Sequence, residues 1–274
     1  MQPTVSALVV DLDHTLFDWT SAWMAAYSYA IDATCAAMRI DRAQLEPEIQ
    51  AEHRRRQTSE FLTDWRVFPC LARAEAELAG PLDDIWRRAQ RLYDLAPPYP
   101  GVELVLDHAL GSGAPVIVCT EAPERAARRR LHTLGLEEYV TALCCAGGEL
   151  EAAPPRRPLR IVTRHRKPQP EVLLDSLAAV NVPPADAVYI GDHEKDLAMG
   201  LAAGTRVVWA RYGTARSAQA LALLHRLCHW DPTHDETRTP PPPVAVPALE
   251  RSFVELLPLV AFRGAHPRVL TARA

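Results

Sequence analysis

The chain has 274 residues, 48% of them hydrophobic and 23% charged, with a net charge of −4 at pH 7. That length can bury one large or two modest domains, and the composition is that of an ordinary soluble globular protein. The mildly acidic balance argues against general nucleic-acid binding, no apolar run nears the roughly 18 residues of a membrane span, and no stretch has the basic, apolar, small-residue order of a secretory signal.

Taken in chain order, Val5–Val10 is a nearly continuous apolar run and reads as a strand covered on both faces. It leads into Asp11-Leu12-Asp13-His14-Thr15, two carboxylates at the strand end where open α/β sheets place their ligand chemistry. Like charges this close repel and raise one pKa unless a cation or a shared proton offsets them. Residues 18–98 then interrupt the strand–helix alternation. Trp23, Tyr27, Ala30, Ile31, Thr34 and Met38 recur at helical spacing behind caps at Thr20 or Ser21. A second helix is predicted from Pro47, which suits a first helical position, a third pattern over Glu60–Leu78, and a fourth helix from Pro81 through Tyr93. Pro97-Pro98-Tyr99-Pro100-Gly101 ends the block, which reads as a small helical domain inserted after the first strand. Its candidate specificity residues are Trp19, Trp23, Arg54–Arg56, Trp65 and Arg66, although Trp23 also reads as core and the arginine run as a solvated face.

From Gly101 the alternation resumes with a helix over Val102–Leu110, a strand over Pro115–Cys119 that ends in Thr120, and a helix over Pro123–Leu134 stopped by Gly135. Thr141–Ala146 reads as a short strand and 147–166 as a loop. Arg156, Arg157, Arg160, Arg164 and Arg166 in that loop read either as a lure for an anionic substrate or as arginine-biased surface. Of the 30 basic residues only Lys167 and Lys195 are lysines. Lysine is a compact point charge and arginine a planar fork, so a lysine kept in so biased a chain marks position 167 as one that needs the ammonium. A helix over Pro170–Val180 precedes the strand Val188–Ile190, which ends in Gly191-Asp192 with Asp196 four residues on. A helix over Asp196–Ala203, a strand over Arg206–Ala210 and a helix over Ala218–Cys228 follow. Asp231–Pro243 is a polar, proline-ended linker or exposed loop; Val244–Val246 reads as a last strand and Leu249–Val260 as a last helix. The six cysteines (Cys35, Cys70, Cys119, Cys144, Cys145, Cys228) lack CxxC spacing and read as reduced thiols of a cytoplasmic protein. Repeated strand–helix units imply a parallel sheet with helices on both faces. The fold class is therefore α/β: a Rossmann-like three-layer core from residues 1–17 and 99–274, with an all-helical domain over 18–98 inserted in it.

In order and spacing, Asp11-Leu12-Asp13-His14-Thr15, then Thr120, Lys167, and Gly191-Asp192-His193-Glu194-Lys195-Asp196 resemble the four motifs of the haloacid dehalogenase-like superfamily, in its phosphatase branch with an inserted helical cap (phosphoglycolate phosphatase-like). The resemblance spans roughly residues 5–213 and departs at His14, where many members carry glycine. It implies a cap over the active site and a phosphatase acting on a small phosphorylated metabolite. Asp11 would be the nucleophile that forms an aspartyl phosphate, and Asp13 the acid and then the base. Thr120 and Lys167 would hold phosphoryl oxygens, and Asp196 would orient Lys167 or a metal-bound water. Two unit charges 4 Å apart repel by about 4 kcal/mol at an effective dielectric near 20, so carboxylates and phosphate need a cation between them. Mg²⁺ suits oxygen ligands; the resemblance implies Asp11, Asp192 and the backbone carbonyl of Asp13 as its ligands. Thr120 has a second reading as a cap of the helix near Pro123, and Asp196 as a cap of its own helix. Alternatives on the same scaffold are a phosphomutase or phosphotransferase and a non-catalytic binding or regulatory protein. Dehalogenation is disfavoured because it has no need of Asp13. The expected partner is a small-molecule phosphorylated substrate, with no nucleic acid or membrane, for a monomer or homodimer.

Overall fold

The computed structural model describes residues 2–73, 76–145, 159–214, 217–228 and 245–264. The chain divides into two compact units, one of Met1–Phe17, Pro97–Ala215 and Thr237–Ala274, the other of Asp18–Ala96 and Arg216–Glu236. The elements in chain order are β1 (Thr4–Val5), β2 (Ala7–Val10), α1 (Trp19–Met38), α2 (Arg42–Arg56), α3 (Pro69–Ala72), α4 (Ala76–Asp94) and α5 (Val102–Gly111). There follow β3 (Val116–Thr120), α6 (Glu124–Thr133), β4 (Ala142–Cys145), β5 (Leu159–Val162), α7 (Glu171–Ala179), β6 (Ala187–Gly191), α8 (Glu194–Ala202), β7 (Arg206–Trp209), α9 (Ala218–Cys228) and β8 (Ala261–Phe262).

The first unit is built on a six-stranded parallel sheet of order β5-β4-β3-β2-β6-β7. Every residue of β2, β3 and β6 is buried, which is why these strands read as unbroken apolar runs. Alternate side chains on one face (Ala7, Val9, Ile117, Cys119, Tyr189) pack against Leu173 and Leu177 of α7 and Met199 of α8. Chain order reverses at β2, which lies between β3 and β6. Open α/β sheets place their ligand sites at such a reversal, outside the carboxyl edge of the strands.

The second unit packs α1 to α4 around an aromatic core. Trp23 and Tyr27 have ring centroids 4.5 Å apart, Tyr27 and Phe61 4.7 Å, and Phe68 and Trp86 5.4 Å. Trp23 is wholly buried and donates from Nε1 to Ser59 O at 2.7 Å, so its core reading is the one realised. Trp19 and Trp65 are buried as well, donating to the Tyr93 hydroxyl and to Asp83 Oδ1. Arg54–Arg56 form an exposed end of α2, where Arg55 and Arg56 grip Glu52.

Several sequence expectations are corrected. Ser6 N donates to Asp186 O at 2.6 Å, which parts the run Val5–Val10 into β2 and the short β1; β1 pairs with β8 instead. α2 and α4 run through Pro47 and Pro81 instead of starting there. For α2 the reciprocal Asp41/Gln44 cap satisfies the first-turn donors further upstream. The loop before Lys167 contains the edge strand β5. α9 belongs to the helical unit: Gln50 Nε2 donates to Arg226 O at 2.9 Å and Arg226 pairs with Glu46 at 2.9 Å. Residues 245 and 246 are not a strand; Ala248 alone bridges Trp209, and 249–260 holds a 3-10 turn, Phe253–Leu256, in place of a helix. The segment Asp231–Pro243, Arg156 and Arg157 lie outside the described residues. Among the described residues no helix is long and apolar enough to cross a membrane.

Candidate active site

The carboxyl edge of the sheet collects the acids. Asp11 directly follows β2, tied to β6 by its backbone amide, which donates to Ile190 O at 2.8 Å. Lys167, 156 residues further on, places Nζ 2.5 Å from Asp11 Oδ1 and 2.7 Å from Asp196 Oδ1, with its side chain only 6% exposed. The Tyr189 hydroxyl donates to Asp196 Oδ1 at 2.6 Å. The other oxygen of Asp196 accepts from the backbone amide of His193 at 3.2 Å, while His193 Nδ1 accepts from Lys195 N at 3.1 Å. Asp196 is thus the third residue of α8 in a reciprocal cap and a partner of Lys167 at once. Asp192, at the end of β6, completes a group in which one oxygen each of Asp11, Asp192 and Asp196 lie within 4.8 Å of one another.

Electrostatics follow from that crowding. Burial, with Asp196, Asp192 and Asp13 nearby, pushes the Asp11 carboxyl well above the usual carboxylate range in spite of Lys167. Burial works against a charged Lys167, but Asp11 and Asp196 outweigh it and hold the ammonium well above its ordinary value. The buried oxygens of Asp11, Asp192 and Asp196 thus stand close together as hard donors, with the Lys167 ammonium against two of these acids. That is the donor set a divalent cation fits.

Thr120 ends β3 at the same edge, buried, and its Oγ1 accepts from Ala122 N at 3.1 Å. It closes the turn after β3 and does not cap α6, whose cap position is Pro123. The hydroxyl proton remains to be donated. Asp13 departs from the cluster. Its Oδ2 lies 2.8 Å from Nη1 of Arg130, a buried arginine on α6 absent from the sequence reading. The carboxylates that could share a cation are therefore Asp11, Asp192 and Asp196, and the Asp13 side chain is engaged elsewhere.

Two glycines hold this edge together. His14 sits at φ +62°, a conformation open to glycine at little cost, and its carbonyl faces Gly213, where a β-carbon would lie 1.8 Å from the oxygen. A β-carbon on Gly191 would lie 2.4–2.6 Å from the Asp196 side chain. Gly191→Ala is expected to push Asp196 away from Lys167 and cost about 1–3 kcal/mol by overpacking, measured by urea unfolding. An unchanged midpoint would show that the α8 terminus yields freely.

A doubly wound parallel sheet with acids, a hydroxyl and a buried lysine gathered on its carboxyl edge defines an α/β enzyme. The family model described as haloacid dehalogenase-like hydrolase matches residues 5–204. The chain belongs to that family. It is 30% identical over 207 residues to a phosphoglycolate phosphatase of Xylella fastidiosa, covering 75% of this chain and 80% of that protein. It is 31% identical over 96 residues to an N-acetylmuramic acid 6-phosphate phosphatase of Pseudomonas putida, covering 35% and 37%. A solved 2-haloacid dehalogenase of Pseudomonas syringae pv. Tomato shares the fold at a TM-score of 0.51 and 19% identity, covering 93% of this chain and 96% of that one.

Proposed function

We propose that the protein is a Mg²⁺-dependent phosphatase that hydrolyses a small phosphorylated metabolite through an aspartyl phosphate on Asp11. The observation that carries this reading is the Lys167 ammonium bridging Asp11 and Asp196 beside Asp192. It gathers three buried carboxylates and an ammonium at the place where a phosphoryl group and a cation would meet.

In the first step an Asp11 oxygen attacks phosphorus, the bond from phosphorus to the leaving oxygen breaks, and Asp13 gives that oxygen its proton. In the second a water attacks the same phosphorus, loses a proton to Asp13, and inorganic phosphate departs with Asp11 restored. Lys167 and the Thr120 hydroxyl hold phosphoryl oxygens, and Asp196 and Tyr189 fix where the ammonium stands. Mg²⁺ held by Asp11, Asp192 and the Asp13 carbonyl, with Asp196 beside them, would neutralise charge on the phosphoryl oxygens.

The likeness to phosphoglycolate phosphatases makes phosphoglycolate the first substrate to try, followed by a panel of sugar and amino-sugar phosphates. Phosphate release is expected with Mg²⁺, is silenced by EDTA and returns when Mg²⁺ is added back. Undiminished turnover after chelation would contradict the charge argument.

A further inference from the structure

α6 carries three consecutive arginines with three different fates. Arg128 pairs with Glu124 at 2.8 Å along the helix, Arg129 is exposed, and Arg130 is buried on the stripe it shares with Ala127 and Leu131. A guanidinium removed from water needs an anionic partner. Asp13, 117 residues away in sequence, is 2.8 Å from it. The Arg130 side chain is 6% exposed and that of Asp13 27%, so the anchor is the more deeply set of the two. Side chains on a helix tilt toward its N-terminus, and α6 starts just after Thr120. An arginine in the last turn of α6 therefore reaches back toward the carboxyl edge of the sheet.

We propose that Arg130 is a positioning residue for the acid–base carboxyl of Asp13. Its grip on Oδ2 fixes the orientation of that group and keeps it out of the Asp11–Asp192–Asp196 oxygen cluster. Four acids then divide their work: three face the cation site and one is reserved for the proton. The inference rests on the phosphatase reading, and it assigns Arg130 no contact with the substrate.

The test uses kcat/KM, which reports every step up to departure of the alcohol, for a primary alkyl phosphate and for p-nitrophenyl phosphate. The alkoxide needs a proton to leave and the nitrophenolate needs almost none. Arg130→Met is expected to lower the alkyl value by about 10²-fold, as a misplaced catalytic group does, with p-nitrophenyl phosphate falling only about threefold or less. Arg130→Lys, which keeps charge and stem, is expected to recover part of the alkyl rate and carries the comparison if the methionine variant does not fold. In an Asp13→Asn background, replacing Arg130 is expected to cost nothing further, since the two act as one unit. An equal fall on both esters, no fall on either, or a full additional loss in the double variant would overturn the role of Arg130. Failure of the wild type to cleave either ester would instead sink the phosphatase reading.

Discussion

Asp11→Asn is expected to abolish phosphate release and leave the protein folded. The amide has the volume of the carboxyl group and cannot form the acyl phosphate, so the covalent route is closed. Losses on removing a nucleophile reach about 10⁶-fold in kcat. The fold should tolerate the exchange because Asp11 is held in a costly state. It is buried, raised by three neighbouring acids, and offset chiefly by Lys167. A neutral amide removes that repulsion, and Lys167 keeps Asp196 at 2.7 Å as its counter-ion, so no buried ammonium is stranded. Circular dichroism and a urea midpoint near the wild-type value would establish folding, and phosphate release would be followed over many enzyme equivalents. Turnover at the wild-type rate in the folded variant would take Asp11 out of the mechanism.

What the sequence disclosed, and what it hid, follow from how each residue is held. Parallel strands covered on both faces must be apolar throughout, so the runs within Ala7–Val10, Val116–Thr120 and Ala187–Gly191 were plain, and each leads into a residue or loop of the proposed site. Lys167 stood out because almost every other cation is an arginine. β5 was hidden by its edge position: Leu159 is 44% exposed and arginines flank and interrupt the strand, so no apolar run marks it. α9 showed its apolar stripe, Ala220, Leu223, Leu224 and Leu227, but a stripe does not say which unit it will cover. Arg130 was masked by its two neighbours. Its signal was one of phase, since Ala127 and Leu131 lie on the same face of α6 and are, like Leu134 just past its end, buried. A charge on the apolar face of an amphipathic helix is the pattern that finds such a residue.

Lys167→Met is expected to lose both turnover and stability, and the stability loss should depend on pH. The methionine keeps most of the stem and removes the charge, so the variant asks what the ammonium itself contributes. For the reaction, losing one preorganised donor to the phosphoryl oxygens costs about 10²–10³ in kcat. For the fold, breaking a buried ion pair typically costs about 3–5 kcal/mol, because the partner is left charged and dry. Without metal, Lys167 is the cation gripping Asp11 and Asp196, and it is held charged well above its ordinary value. A raised lysine stabilises fully below its unfolded pKa near 10.4, so the wild type keeps this contribution across the neutral range. The variant lacks it, and Asp11, already pushed up by burial and neighbouring acids, is pushed further. A carboxyl raised in the folded state loses stability as pH climbs past its unfolded value near 3.9. The deficit relative to wild type, from urea unfolding in EDTA, should therefore widen once the pH passes the raised folded value of Asp11 in the wild type, where the wild type stops losing stability and the variant does not. Lys167→Arg should restore part of the stability and little of the turnover, because a planar fork cannot stand where a point charge touches two carboxylates. A deficit that stayed constant after Asp11 ionises in the folded wild type would mean that the stem of Lys167, and not its charge, is what the fold requires.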